Sequence, residues 1–101
     1  MRVLMKMTLP TEASNRAFRD QTFPKTLQTL LEKIKPEAAY YLPEHGKRTG
    51  YFFFDLKDPS LMPDIAEPLF LELGAEIDVT PVLTTEEVKA GVERAMKAMK
   101  K

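Results

Sequence analysis

Few side chains able to do chemistry occur in this chain of 101 residues, and they are scattered along it. There is no cysteine, and His45 is the sole histidine. That excludes thiolate metal sites, a cysteine nucleophile and multi-histidine metal centres, so neither metal nor cofactor is expected. What remains is a lysine, two aspartates and two tyrosines in alternating segments: Lys6, Asp55, Asp78, Tyr40 and Tyr51, with Phe53 among them. A lysine paired with Asp78 or Asp55 and facing a cavity would polarise a bound small molecule. A tyrosine there would hydrogen-bond a ligand or donate a proton. Each has a plainer reading. Lys6 can be an ion pair buried by association, or can snorkel to a rim. Opposed tyrosines on a hairpin pack across strands. His45 beside Gly46 suits a turn. Arg48 reads as a solvated edge charge, and Asn15, Arg16 and Arg19 as helix surface.

These residues can meet only if the intervening segments fold around them. Val3, Met5 and Met7 alternate with Leu4, Lys6 and Thr8, predicting a strand over 2–9 that Pro10 ends. Thr11 suits an N-cap, and residues 11–35 carry Ala13, Ala17, Leu27, Leu30, Leu31 and Ile34 at helical spacing. Pro24 predicts a kink or break near Thr22 and Phe23, with a second helical run starting at Pro24. "EAAYYLP" (37–43) and "RTGYFFFDL" (48–56) read as strands joined by a tight turn at His45-Gly46. Asp58 or Ser60 can cap the next helix, whose stripe is Leu61, Ile65, Leu69 and Leu73. Pro68 should bend it and Gly74 close it. "AEIDVTPV" alternates as a fourth strand. "TTEEVKAGVERAMKAMKK" opens with a capping box from Thr84 to Glu87, carries Val88, Val92, Ala95 and Met99 as its stripe, and ends in the basic Lys97, Lys100 and Lys101.

The predicted order, βαββαβ plus a terminal helix, is that of a ferredoxin-like α+β fold: a four-stranded antiparallel sheet with helices on one face. At this length a single domain over 1–101 is expected. A two-residue turn sets Glu44 against Lys47, Leu42 against Thr49 and Tyr40 against Tyr51. Tyr40, Leu42, Tyr51, Phe53 and Asp55 then share one face, and Tyr41, Phe52, Phe54 and Leu56 the other. The second set, with Met5, Ile77 and Val79, belongs under the helices. The first, with Lys6, Thr8, Asp78 and Thr80, forms an open face that is half aromatic and half polar. An aromatic side chain buries about 150–250 Å², so several side by side make a patch of the size that marks an interface or a ligand groove. The simplest closure is a second copy of the same sheet. A homodimer with an amphipathic cavity between the two sheets is therefore expected.

Composition narrows the partners. Lys plus Arg and Asp plus Glu are 15 each, so no broad field draws the chain to nucleic acid or an anionic membrane. "RTGYFFFDL" has a passing likeness to an RNA-stacking strand, but Asp55, Glu76 and Asp78 oppose that use, and no nucleic-acid partner is expected. The apolar runs are too short to span a bilayer, and "MRVLMKMTLP" is too short and too charged for a secretory signal. A soluble, cytoplasmic protein is expected.

By its element order, the hairpin "YYLPEHGKRTGYFFFDL" and the two-sided burial, the chain resembles the dimeric α/β-barrel superfamily over roughly residues 2–83. That group includes muconolactone-isomerase-like, antibiotic-monooxygenase-like and YCII-like families. The resemblance implies a homodimer; among such proteins are cofactor-independent oxygenases, isomerases, dehalogenase-like and haem-degrading enzymes. The YCII-like pattern uses a His–Asp pair, whereas the one histidine here falls in a turn. Two readings follow. One is a small homodimeric protein binding a small, partly apolar ligand between its sheets. The alternative is a cofactor-independent isomerase or monooxygenase with its active site in that cavity. In both, Lys6, Tyr40, Tyr51, Phe53, Asp55 and Asp78 line the site.

Overall fold

Alternation in the first segment becomes a strand buried on one side only. In β1 (Arg2–Leu9), Val3, Met5, Met7 and Leu9 are buried while Leu4, Lys6 and Thr8 are half-buried. The computed structural model describes residues 1–100, and Lys101, expected with Lys97 and Lys100 at the end of the last helix, lies outside them. After β1 come α1 (Thr11–Arg19), α2 (Thr22–Ile34), β2 (Ala38–Glu44) and β3 (Lys47–Asp55). A 3-10 turn (Pro59–Leu61), α3 (Met62–Leu73), β4 (Glu76–Pro81) and α4 (Thr85–Met99) complete the chain. The four strands form one antiparallel sheet in the order β2-β3-β1-β4. This α+β arrangement is compatible with a ferredoxin-like fold.

Turn chemistry sets the register. His45 (φ 52°) and Gly46 (φ 77°) both occupy the left-handed region that a two-residue hairpin with the right twist requires. The pairs Glu44 with Lys47, Leu42 with Thr49 and Tyr40 with Tyr51 follow directly. Because opposed residues project to the same side, Phe52 and Phe54 turn under the helices with Met5 and Val3, their partners on β1. Tyr51 and Phe53 turn the other way.

The helical segment breaks earlier than Pro24 suggests. Asp20 caps α1, and Gln21 sits at φ 65° between the two helices. Phe23 is helical despite preceding a proline, and stacks on Phe18 with ring centres 4.3 Å apart. Pro24 falls in the first turn of α2, where a missing N–H leaves no intrahelical bond unmade. Thr11 is the first residue of α1 rather than its cap; Pro10 holds that place, and its carbonyl accepts from the Ser14 N–H at 2.9 Å.

In α3 the two prolines are accommodated differently. Pro63 lies at the start of the helix and Pro68 inside it. Pro68 cannot donate to the carbonyl four residues back, that of Asp64. The Lys33 ammonium on α2 donates to that carbonyl instead, at 2.7 Å. A second link between these helices runs from the Thr26 hydroxyl to a Glu72 carboxylate oxygen. Ile65, Ala66, Leu69 and Leu73 are buried against the sheet, whereas Leu61 stays exposed in the 3-10 turn. Gly74 (φ 62°) ends the helix.

The terminal helix behaves unlike the others. Its capping box is complete: Thr84 Oγ1 accepts from the Glu87 N–H at 3.2 Å, and Glu87 Oε1 accepts from the Thr84 N–H at 2.7 Å. None of its residues is buried, and among the described residues it makes no extensive contact with any strand or helix of the body. The molecule accordingly measures 61 × 28 × 19 Å. Among the described residues no helix is long and apolar enough to cross a membrane.

Candidate functional site

Two concave or uncovered regions flank the sheet, one on each side. The open face carries Leu4, Lys6 and Thr8 from β1, Tyr40, Leu42 and Glu44 from β2, Tyr51, Phe53 and Asp55 from β3, and Asp78 and Thr80 from β4. Tyr40 is 62% exposed and Leu42 37%, and no element of the same chain lies over them.

At the middle of this face Lys6 lies between Tyr51 on β3 and Asp78 on β4, its register partners. Its ammonium reaches across β3, away from Asp78, to form an ion pair with Glu44 at the end of β2. The other Glu44 oxygen accepts a hydrogen bond from the Tyr51 hydroxyl. The ammonium also lies 6.0 Å from the centre of the Tyr51 ring. Lysine, glutamate and tyrosine thus form one chain of charge-assisted hydrogen bonds, with Lys6 and Glu44 side chains 30% and 23% exposed. The hydrogen bonds from Lys6 and then Tyr51 hold the Glu44 carboxyl below the usual carboxylate range. The carboxylate in turn raises both the Lys6 ammonium and the Tyr51 phenol above their ordinary values.

The expected pairing of Lys6 with an aspartate is therefore replaced by Lys6 with Glu44. Asp78 stands opposite Lys6 and adds a weaker attraction. Asp55 lies at the far end of β3 opposite Arg2, and takes the Lys57 ammonium at 2.8 Å and the Met1 amine at 2.7 Å. Those two cations, Lys57 first, lower its carboxyl to about 2. Tyr40 and Phe53 join the open face on either side of the cluster without hydrogen bonds to it. Glu44 was legible in principle, because parity places it with Tyr40 and Leu42. Its reach back along the strand towards Lys6 is a matter of side-chain length and rotamer.

The second region lies on the helix side, where α1 and α2 stop short of the hairpin. Tyr41 points to this side as its parity predicts, yet it is 53% exposed because β2 is an edge strand beyond the reach of the helices. The result is a cleft of about 520 Å³ with Met7, Leu9 and Gly50 at its floor and Phe18, Phe23 and Leu27 on the helical wall. Gly50 is there for space: a Cβ would sit 2.9 Å from Phe52 Cε2, and Tyr41 packs edge-on against Phe52 at 5.8 Å. Arg48 stands at the rim and is no free edge charge. Its Nη1 donates to Ser14 Oγ at 2.7 Å and to Asn15 Oδ1 at 2.9 Å, and its guanidinium carbon lies 4.5 Å from the centre of the Phe18 ring. Asn15, read as plain surface, is one of its anchors.

Among the described residues no group of three or more His, Asp or Glu side chains converges as metal ligands would. No protein-family model matches the chain, and no curated protein matches it. Fold and site define a small α+β protein with one closed and one uncovered sheet face, the latter centred on a lysine–glutamate–tyrosine cluster.

Proposed function

We propose that the chain works as a homodimer that closes its two open faces on each other and holds a small, partly apolar ligand in the cavity between them. The observation that carries this reading is the uncovered face itself. Exposed Tyr40 and Leu42 lie there beside half-buried Tyr51 and Phe53, and among the described residues neither the helices nor the C-terminal segment covers them. Removing such surface from water stabilises by roughly 25 cal/mol per Å² of apolar area, and a two-fold pairing buries it twice. The helix α4 adds a second uncovered apolar surface, since Val88, Val92, Met96 and Met99 are all exposed, as is Leu83 just before it. An isolated helix of this length is marginal in water, so a partner surface for its stripe suits the same assembly.

Within the cavity, the Lys6–Glu44–Tyr51 cluster is the polar group that orients a ligand. Binding fits it better than acid–base catalysis. A general acid or base at neutral pH needs a pKa brought towards 7. Here Glu44 moves down while Lys6 and Tyr51 move up, each away from that range. The cluster stays charged and hydrogen-bonded through neutral pH, as a fixed recognition element does.

Light scattering tests the assembly: twice the chain mass is expected at micromolar concentration, and Phe53→Lys should return the monomer mass while keeping the circular dichroism of the folded protein. A monomer mass for the unaltered protein up to high concentration overturns the proposal. Native mass spectrometry of the purified dimer, with Lys6→Met as comparison, then tests for a ligand retained in the cavity.

A further inference from the structure

We propose a second binding site, independent of the inter-sheet cavity: the cleft between the α1–α2 turn and the β2–β3 hairpin takes a small organic monoanion with an apolar body, its carboxylate on Arg48. The cleft has the size and lining of a small-molecule site, about 520 Å³ with chiefly apolar walls. Among the described residues Arg48 is the one charged residue that lines it. That pattern, one fixed cation over an apolar trough, selects a ligand with one negative end and no second charge.

The position of Arg48 argues for recognition beyond mere tethering. Both its hydrogen-bond acceptors, Ser14 and Asn15, are neutral, and both are served by Nη1. The third neighbour is the face of Phe18. Among the described residues no carboxylate lies within 4 Å of the guanidinium, whereas Arg2 and Lys6 each have one. Ser14 is fully buried, and its hydroxyl donates to the Thr11 carbonyl at 3.2 Å, which turns its lone pair towards Arg48. The guanidinium is thus oriented by neutral groups, with no carboxylate in contact with it among the described residues. Its Nε and Nη2 hydrogens have no protein acceptor among the described residues, and this edge matches the two oxygens of a carboxylate. Most of the cleft's lining lies on the helix side of the sheet, so pairing the open faces of two copies would leave that side reachable, with only Leu42 and Thr49 of the lining at open-face positions.

Octanoate and 1-octanol, titrated separately into the full-length protein and followed by amide chemical shifts, test this site. Octanoate should shift the Leu27, Tyr41 and Gly50 amides and bind at least about tenfold tighter than octanol, the effect of a charge-assisted pair. Affinity should rise about fourfold per methylene from hexanoate upward until the trough is full. Arg48→Gln should erase the preference for the acid, and Leu27→Trp, which fills the trough, should abolish binding of both. Equal binding of acid and alcohol in the unaltered protein overturns the proposal, even if Arg48→Gln fails to fold. So do shifts confined to Tyr51 and Phe53, which would place the probe in the inter-sheet cavity, the absence of any shift, or cleft shifts produced by dilution alone, which would assign the cleft to a second copy.

Discussion

The two faces of one sheet are built from the same strands and both carry large apolar side chains, and they end in opposite states. On the helix side Val3, Met5, Phe52 and Phe54 are at most 1% exposed. On the other side Leu4, Tyr51 and Phe53, their immediate chain neighbours, stay partly in water. β-propensity and strand length are shared, so neither explains the contrast. What differs is cover. Three helices connected to the sheet by short links close one face, and none reaches round to the other. The helices repeat the lesson. The stripe of α3 is buried as far as Leu69 and Leu73 at 1%, while the equally spaced Val88 and Val92 of α4 are half exposed. Amphipathic pattern states which side needs burial; it does not name the surface that provides it.

The comparison breaks most sharply at the phenylalanines. Phe52→Ala empties a site with no solvent access and should lower unfolding stability by about 3–5 kcal/mol. Phe53→Ala, one residue on, should cost the dissociated chain under about 1 kcal/mol and act instead on association. Urea denaturation at two protein concentrations separates these effects, and equal losses at both sites would erase the distinction between the faces. Gly50→Ala adds one methyl on the closed side, against the Phe52 ring, and should destabilise by about 1–3 kcal/mol by the same assay. A neutral result would show that the ring and Tyr41 yield freely.

Thr84→Ala removes half of the capping box of α4, and should lower helicity by circular dichroism with a loss of about 1 kcal/mol. Because α4 is unpacked in the single chain, that loss should appear as early melting of the helix and leave the main transition in place. A shift of the main transition would mean that α4 packs on folded protein, its own body or a partner. The smallest effect concerns pH. Asp55 is held at about 2, chiefly by Lys57. A lowered folded-state pKa gives stability that is present above the ordinary carboxylate pKa and lost as pH falls through about 2. Acid unfolding between pH 4 and 2 should therefore lose part of its slope in Asp55→Asn. The group is exposed, so the change should be slight.

Much of the fold was legible because its signals are local. Alternation in β1 and β4, a two-residue turn at His45-Gly46 and the Thr84–Glu87 box each act within a few residues, and parity then carries side chains to the correct face over the whole hairpin. The helix break was less legible. Pro24 announces a discontinuity, yet the chain turns at Asp20–Gln21 and the proline is absorbed in the next first turn, where its missing donor is harmless. The site was only half legible. Parity gathered Lys6, Tyr40, Tyr51, Phe53, Asp55 and Asp78 on one face, but which acid meets Lys6 depends on how far long side chains reach across strands. Glu44 wins because its two oxygens satisfy the lysine and Tyr51 at once, while Asp55 is taken by cations at the strand end. Arg48 escaped the sequence reading because its partners lie on α1, more than thirty positions away.

The sequence by itself determined the strands, the hairpin register, the division of residues between two faces and the exclusion of cysteine and multi-histidine chemistry. These follow from backbone sterics and from the two-residue period of a strand, which need only neighbours in the chain. Tertiary structure alone decided that Lys6 meets Glu44, that Arg48 is fixed by neutral partners over an apolar cleft, and that α4 stands clear of the body. Those outcomes depend on distances between segments remote in sequence, where packing and side-chain reach choose among partners that local pattern leaves equivalent.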